Sequence, residues 1–309
     1  MAQSKNSVFS YQSWVHAVAG ATGGVVAMSV FYPLDTVRAR LQLEDSQIKK
    51  DSNTIEILKQ LIREEGFTTL YRGLMPVLES LCISNFVYFY TFHGLKSYFD
   101  SGDKQNALKD LLIGAVSGAI NVMTTTPFWV VNTRLKMKGL KGDKPTNSDH
   151  YENLLSGLFY IAKTEGIPGL WAGAIPSLIL VINPALQFMM YEMIKRKLVK
   201  SHGELSALTY FGIGAVSKAF ATVLTYPLQL VQTKLRHGSK DTNMNIPRNA
   251  GILKMLLYIL KTQGINGLFR GLEAKLLQTV LTAALLFATY EKIASYVVLI
   301  LISSKRRRH

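Results

Sequence analysis

The sequence predicts an all-α membrane protein built as three tandem two-helix repeats, with six transmembrane helices and short surface helices between them. Three observations carry this. A motif recurs in register: Pro33, Pro127 and Pro227 are 94 and 100 residues apart, and Gly66, Gly166 and Gly264 are 100 and 98 apart. Gly73, Gly173 and Gly271 keep the same register, so the chain is an array of one structural unit. Long apolar runs precede each proline. Trp14 to Leu34 has only His16 titratable near neutral pH, Leu111 to Val131 has no charge, and Leu205 to Val231 has only Lys218. Such runs reach the roughly 20 residues that cross hydrocarbon. Third, the segments 38–72, 134–163 and 234–270 hold 7, 6 and 7 of the 35 Lys and Arg residues, which places this charge on one side of a six-span arrangement.

The repeats fall at 12–100, 106–200 and 205–302. Span 1 runs from about residue 14 to 41, with a Gly20-x-x-x-Gly24 face for close helix contact and a kink expected at Pro33. Residues 54–65 read as an amphipathic surface helix with Ile55, Leu58, Leu61 and Ile62 on one face. Span 2 runs from about 73 to 99. Span 3, about 107–136, repeats the glycine pair as Gly114 and Gly118 and has its kink at Pro127. A surface helix follows at about 152–164, and span 4, about 174–199, carries Pro176, Asn183 and Pro184. Span 5, about 205–236, keeps Gly214 but places Lys218 where the other repeats have the second glycine, and its kink is expected at Pro227. Residues 250–262 form the third surface helix, and span 6 runs from 271 to about 301.

The mean hydropathy is only slightly positive, which basic loops and helix faces lining a water-filled cavity explain. The formal net charge of +15 has two readings, attraction to anionic lipid headgroups and attraction of anionic solutes. Nucleic-acid binding does not fit, because no basic patch sits on a polar folded domain. The single cysteine, Cys82, lies mid-span and reads as a buried free thiol; it excludes a disulfide framework and a cysteine metal site. The first apolar run is long enough to span, which argues against a cleaved signal peptide. Gly212-Ile213-Gly214 lacks the third glycine and the preceding strand of a dinucleotide fingerprint, no phosphate loop is present, and the six histidines are scattered. The sequence therefore does not read as an enzyme, and no metal site is expected.

Pro33-x-Asp35-x-x-Arg38-x-Arg40 followed by Glu65-Gly66-x-x-x-x-Tyr71-Arg72-Gly73, with its two later copies, resembles the mitochondrial carrier (solute carrier 25) family. The resemblance covers about residues 12–300. It implies six tilted helices in pseudo-three-fold symmetry around a central cavity that opens alternately to either side. Segments 85–92, 125–134, 183–188 and 271–280 look closest to the peroxisomal cofactor-carrying branch. Trp129 in place of an acid, with Asn183-Pro184, is similar to the flavin, folate and nicotinamide-dinucleotide branch. These likenesses imply CoA, FAD, NAD and adenine nucleotides as transported solutes, with no bound prosthetic group. Two other readings stay open: a mitochondrial inner-membrane nucleotide, flavin or folate carrier, and a membrane scaffold without flux.

In the family, the proline-end gate joins the acid of one repeat to the base of the next. Here that implies Asp35–Asn132, Trp129–Gln232 and Gln229–Arg38, none of them acid against base. The expectation is a gate that closes less tightly than three ion pairs would. The opposite gate implies Lys96–Glu192, Lys195–Glu291 and His93–Ala294. Substrate contacts seven residues beyond the glycines map to Ser80, to Leu180 with Val181, and to Gln278, with Asn183 nearby. Lys218 and Lys275 are the intramembrane phosphate candidates; the structural alternative is pairing with Glu79 or Glu273. Arg38 and Arg134 are placed to guide phosphate, and Trp129 reads as a plug rather than a ligand. The helix starts at 71–73, 171–173 and 269–271 suit lipid phosphate. Basic loops would place the proline end in the cytosol, whereas the resemblance places it in the organelle lumen with cytosolic termini. Expected partners are anionic nucleotide-type solutes, membrane lipids and import factors for peroxisomal membrane proteins.

Overall fold

The computed structural model describes residues 11–43, 54–99, 107–137, 152–238 and 251–285, and for 11–24, 107, 108 and 202 only the backbone. Every regular element among them is helical: α1 (Tyr11–Leu43), α2 (Thr54–Glu65), α3 (Leu74–Phe99), α4 (Ala107–Lys136), α5 (Leu154–Glu165), α6 (Ile167–Leu170), α7 (Ala174–Ile179), α8 (Asn183–His202), α9 (Ala207–His237), α10 (Ile252–Leu268) and α11 (272–285). Lys109–Lys136, Ile167–Ser201 and Ala207–His237 are long and apolar enough to cross a membrane. α3 carries Glu79, Asn85 and several tyrosines along its apolar length. The sixth predicted span is described only to residue 285.

Pro33, Pro127 and Pro227 lie inside α1, α4 and α9. Each removes an N–H and frees the carbonyl four residues earlier. At Pro127 that carbonyl, on Met123, receives the indole N–H of Trp171 at 2.8 Å. Beyond each proline the same offsets face inward. Val37 and Leu41 pack on Ile57 and Leu61; Val131 and Leu135 pack with Leu154 and Ile161; Val231 packs with Met255 and Ile259. Each fully buried Val, Leu or Ile side chain contributes about 1.5–3 kcal/mol, so each surface helix is pinned to its own span.

This corrects the face assigned to 54–65. The buried side is Thr54, Ile57 and Leu61, while Ile55 and Ile62 point outward. A helix at the membrane surface has two apolar surroundings, the core and the lipid, and the sequence pattern does not separate them. Cys82 is likewise exposed rather than buried, because it sits about half a turn from the inward-facing Ser80 and Ser84. Leu112, Val116, Ile120 and Met123 on α4 and Val216, Phe220, Val223 and Leu224 on α9 make similar outward apolar stripes.

The even spans enter through Gly73, Gly173 and Gly271, all with φ near +80°. A Cβ at Gly173 would also lie 3.1 Å from the Gln232 carbonyl, so these positions require glycine twice over. Gly114 and Gly118 admit close neighbours: a Cβ there would meet Tyr88 Oη at 3.5 Å and Val181 Cγ1 at 2.8 Å. Gly214 does not repeat this, with nothing within 4 Å. The predicted span 4 is also not one regular helix. A 3-10 turn, Leu180–Ile182, separates α7 from α8, because Pro184 cannot donate to the Leu180 carbonyl.

Candidate functional site: a gated central cavity

At the proline end α1, α4 and α9 pack on one another. Asp35 is 5% exposed and binds two cations, Arg38 on its own helix at 3.2 Å and Lys136 of the next repeat. The Lys136 ammonium also lies 5.0 Å from the centre of the Tyr32 ring. This overturns the expectation that no acid meets a base here. Asn132 does not reach Asp35; its amide donates to the Ser80 hydroxyl at 2.6 Å. Lys136 lies one turn further along α4, and its longer chain supplies the missing charge. Breaking such a buried pair costs about 3–5 kcal/mol, because one charge is left behind.

The other two predicted gate pairs are also replaced. Gln232 donates to the Ser177 hydroxyl at 2.7 Å, and Gln229 to Thr225 on its own helix at 3.1 Å. Trp129 takes the Arg236 guanidinium over its ring at 5.9 Å. The position nine residues after each proline thus crosses to a neighbouring repeat in all three cases. Gln42 donates to Tyr226 Oη at 3.0 Å, Lys136 meets Asp35 and Tyr32, and Arg236 meets Trp129 and Ser177 Oγ, the latter at 3.1 Å. Sequence reasoning weighed only the second and fifth positions after the proline. Two long cations at the ninth position were the available signal.

Arg134 is not free to guide a solute. It binds both carboxylate oxygens of Glu165, at 2.7 and 3.0 Å, and the Arg236 carbonyl at 3.2 Å. Arg40 binds Glu65 equivalently at 2.9 Å. Both arginines tie the spans to the surface helices.

Above this floor a cavity of about 900 Å³ opens along α4. It reaches from Leu111 to Trp129, 18 residues or roughly 27 Å of helix. Ser84 and Tyr88 of α3, Leu180, Val181 and Ile182, and Gln232 and Arg236 complete much of its wall. Of the predicted solute contacts, Leu180 and Val181 are among the lining residues. Asn183 is not among the lining residues. Ser80 is 0% exposed, accepts from Asn132 and is not among the lining residues. Gln278 is buried, with its carbonyl oxygen unpaired. Neither Lys218 nor Lys275 forms an ion pair with Glu79 or Glu273, both of which point outward. Instead Lys275 lies within electrostatic reach of Asp35, Arg38, Lys136 and Lys218. Three basic side chains, Arg38, Lys136 and Lys275, thus lie about one carboxylate, with Lys218 near Lys275, a basic surplus suited to phosphate.

At the opposite end the predicted Lys96–Glu192 pair is not formed. Lys96 binds Asp110 at 2.9 Å. Glu192 is held by Lys195 and Arg196 of its own helix at 3.6 and 3.4 Å. His93 stacks on Phe89. Glu291 lies outside the described residues, as do Tyr290 and Ala294. Lys96 and Glu192 each find an opposite charge nearer by, on the next helix or on their own. Among the described residues no group of His, Cys, Asp or Glu is arranged to hold a metal.

The family described as mitochondrial carrier protein matches residues 9–102, 103–202 and 203–299. The chain is 51% identical over 297 residues to the peroxisomal membrane protein PMP34 of Mus musculus, covering 94% of this chain and 95% of that protein. It is 33% identical over 312 residues to the peroxisomal nicotinamide adenine dinucleotide carrier of Arabidopsis thaliana, covering 90% and 94%. It is also 33% identical to the mitochondrial nicotinamide adenine dinucleotide transporter 2 of the same plant, covering 94% and 83%. With three matched repeats, a closed proline end and a cavity above it, this chain belongs to the mitochondrial carrier family.

Proposed function

We propose that the protein carries anionic, adenine-containing cofactors across the peroxisomal membrane by alternating access, with CoA, FAD, NAD and adenine nucleotides as its cargo. The observation that carries this is the long cavity floored by Trp129, Gln232 and Arg236, with Arg236 within electrostatic reach of Arg38, which with Lys136 and Lys275 lies about Asp35. The apolar wall at Leu180, Val181 and Ile182 suits an aromatic base, and the cations suit its phosphates. The names of the peroxisomal relatives support both the organelle and the nucleotide class. The mitochondrial inner membrane is the second reading, favoured by the mitochondrial relative. Both termini face the cytosol in this proposal, and insertion uses the import factors of peroxisomal membrane proteins.

Contacts from all three repeats close the proline end, which supports exchange over free uniport. The test is uptake of labelled CoA, FAD, NAD and ATP into liposomes holding the purified protein, with and without internal counter-substrate. Uptake that needs counter-substrate is the expected result. Flux of none of these solutes would overturn the reading, and equal flux into empty liposomes would overturn exchange.

A further inference from the structure

α1, α4 and α9 carry four arginines, Arg38, Arg40, Arg134 and Arg236. The first three each hold a carboxylate, on Asp35, Glu65 and Glu165. Arg236 holds none among the described residues. Its side chain makes one hydrogen bond there, from Nη2 to the Ser177 hydroxyl at 3.1 Å, and its Nε–H is buried without an acceptor. A guanidinium carries more N–H donors than any other side chain, so most of this one's capacity is unused. The charge within its electrostatic reach, Arg38, has the same sign. This unpaired cation lines the floor of the cavity.

What holds Arg236 in place carries no charge. Its Cζ lies over the Trp129 ring, 5.9 Å from the centroid, a cation–aromatic contact. Its stem runs close to the turn into span 4, where a Cβ on Gly173 would lie 3.2 Å from Arg236 Cγ. A guanidinium gripped by its face keeps its N–H edge available for a bidentate partner. Trp129 thus positions the cation without neutralising it, which a carboxylate at that position would do. A charge withdrawn from water is costly until it is paired, and an anion entering the cavity supplies the missing partner.

We propose that Arg236 is the phosphate contact at the cavity floor, its face on Trp129 and its N–H edge donating to phosphate oxygens of the solute. Paired N–H donors of a guanidinium match two oxygens of one phosphate group, and the bonds are charge-assisted. This rests on the nucleotide-carrier reading above and names the residue on which that cargo's phosphates end. It also gives Trp129 a positioning role in binding, beyond blocking the floor.

The experiment measures binding of inorganic pyrophosphate and of ADP to the detergent-purified full chain by titration calorimetry, beside ADP exchange in liposomes. Arg236→Gln should weaken both ligands on the order of ten-fold or more. Arg236→Lys should recover only part, since an ammonium lacks the forked edge. Trp129→Glu leaves the arginine in place but neutralises it and should weaken binding comparably, whereas Trp129→Phe should keep most of it. That pair decides the matter if Arg236→Gln does not fold. Lys200→Ala removes an equal charge from an exposed position on α8 and should leave both affinities unchanged. Arg236→Gln or Trp129→Glu binding as tightly as wild type overturns the proposal. An equal loss in Lys200→Ala does so too, by marking a long-range field rather than a contact. Anionic phospholipid that displaces pyrophosphate from the micelle-held protein assigns the site to a headgroup and overturns the solute contact. A wild type that exchanges ADP but binds no pyrophosphate overturns the proposal alone. One that binds pyrophosphate but neither binds nor exchanges ADP keeps the phosphate site and overturns the carrier reading beneath it.

Discussion

The two ends of the same helices behave differently. At the proline end, α1, α4 and α9 are joined by a buried ion pair, two cation–aromatic contacts and amide–hydroxyl bonds across repeats. At the far end, Lys96, Glu192 and Lys195 carry equally suitable charges but bind only an adjacent or their own helix. Charge alone therefore does not close a gate. Closure also needs the backbones to bring partners from different repeats within reach and out of water, where a pair is screened less.

The sharpest way to break this asymmetry is Lys136→Ala. It leaves the buried Asp35 with Arg38 as its one direct ion-pair partner and should cost the closed end about 3–5 kcal/mol. The expected readout is a lower melting temperature in detergent together with flux into empty liposomes. Asp35→Asn on top of Lys136→Ala removes the stranded charge and should recover part of both losses. A single variant as stable and as tight as wild type would refute the pair's role.

Ser80→Ala tests a smaller contact on the same floor. It leaves the buried Asn132 amide without its acceptor, at about 1–3 kcal/mol. Because Ser80 serves the gate, thermal stability should fall while the relative affinities for different nucleotides hold. A change in solute preference without a change in stability would return Ser80 to the binding surface.

Lys96→Ala should have the smallest effect on the proline-end-closed state. Its partner Asp110 is 38% exposed in its side chain, and such a pair is worth roughly 0–1 kcal/mol. Melting should barely move. If Lys96 binds Glu192 when the far end shuts, the exchange rate should fall even so, and stopped-exchange kinetics would detect it. An unchanged rate would remove Lys96 from the opposite gate.

Local features were legible in the sequence because local backbone chemistry decides them. A proline inside an apolar run and a glycine at the start of the next span each act within one helix or turn. Their recurrence in three registers exposed the repeat without any long-range knowledge. Lys136 was missed because the motif assigns the base to position 132, and only the packing of α1 on α4 shows that a side chain one turn further along reaches Asp35. The Asn132 contact of Ser80 was hidden for a related reason, since register says how far along the span a residue lies but not which neighbour holds its hydroxyl.

What the sequence by itself determined was the architecture: three repeats, their apolar spans, the glycine turns into the even spans and the prolines within the odd ones. Tertiary structure alone decided which end is shut, which residues shut it, and which wall residues keep hydrogen-bonding capacity for a solute. Spacing along a chain fixes direction around a helix, but pairing between helices depends on their separation and relative rise. A shift of one turn, about 5.4 Å, is enough to exchange one partner for another.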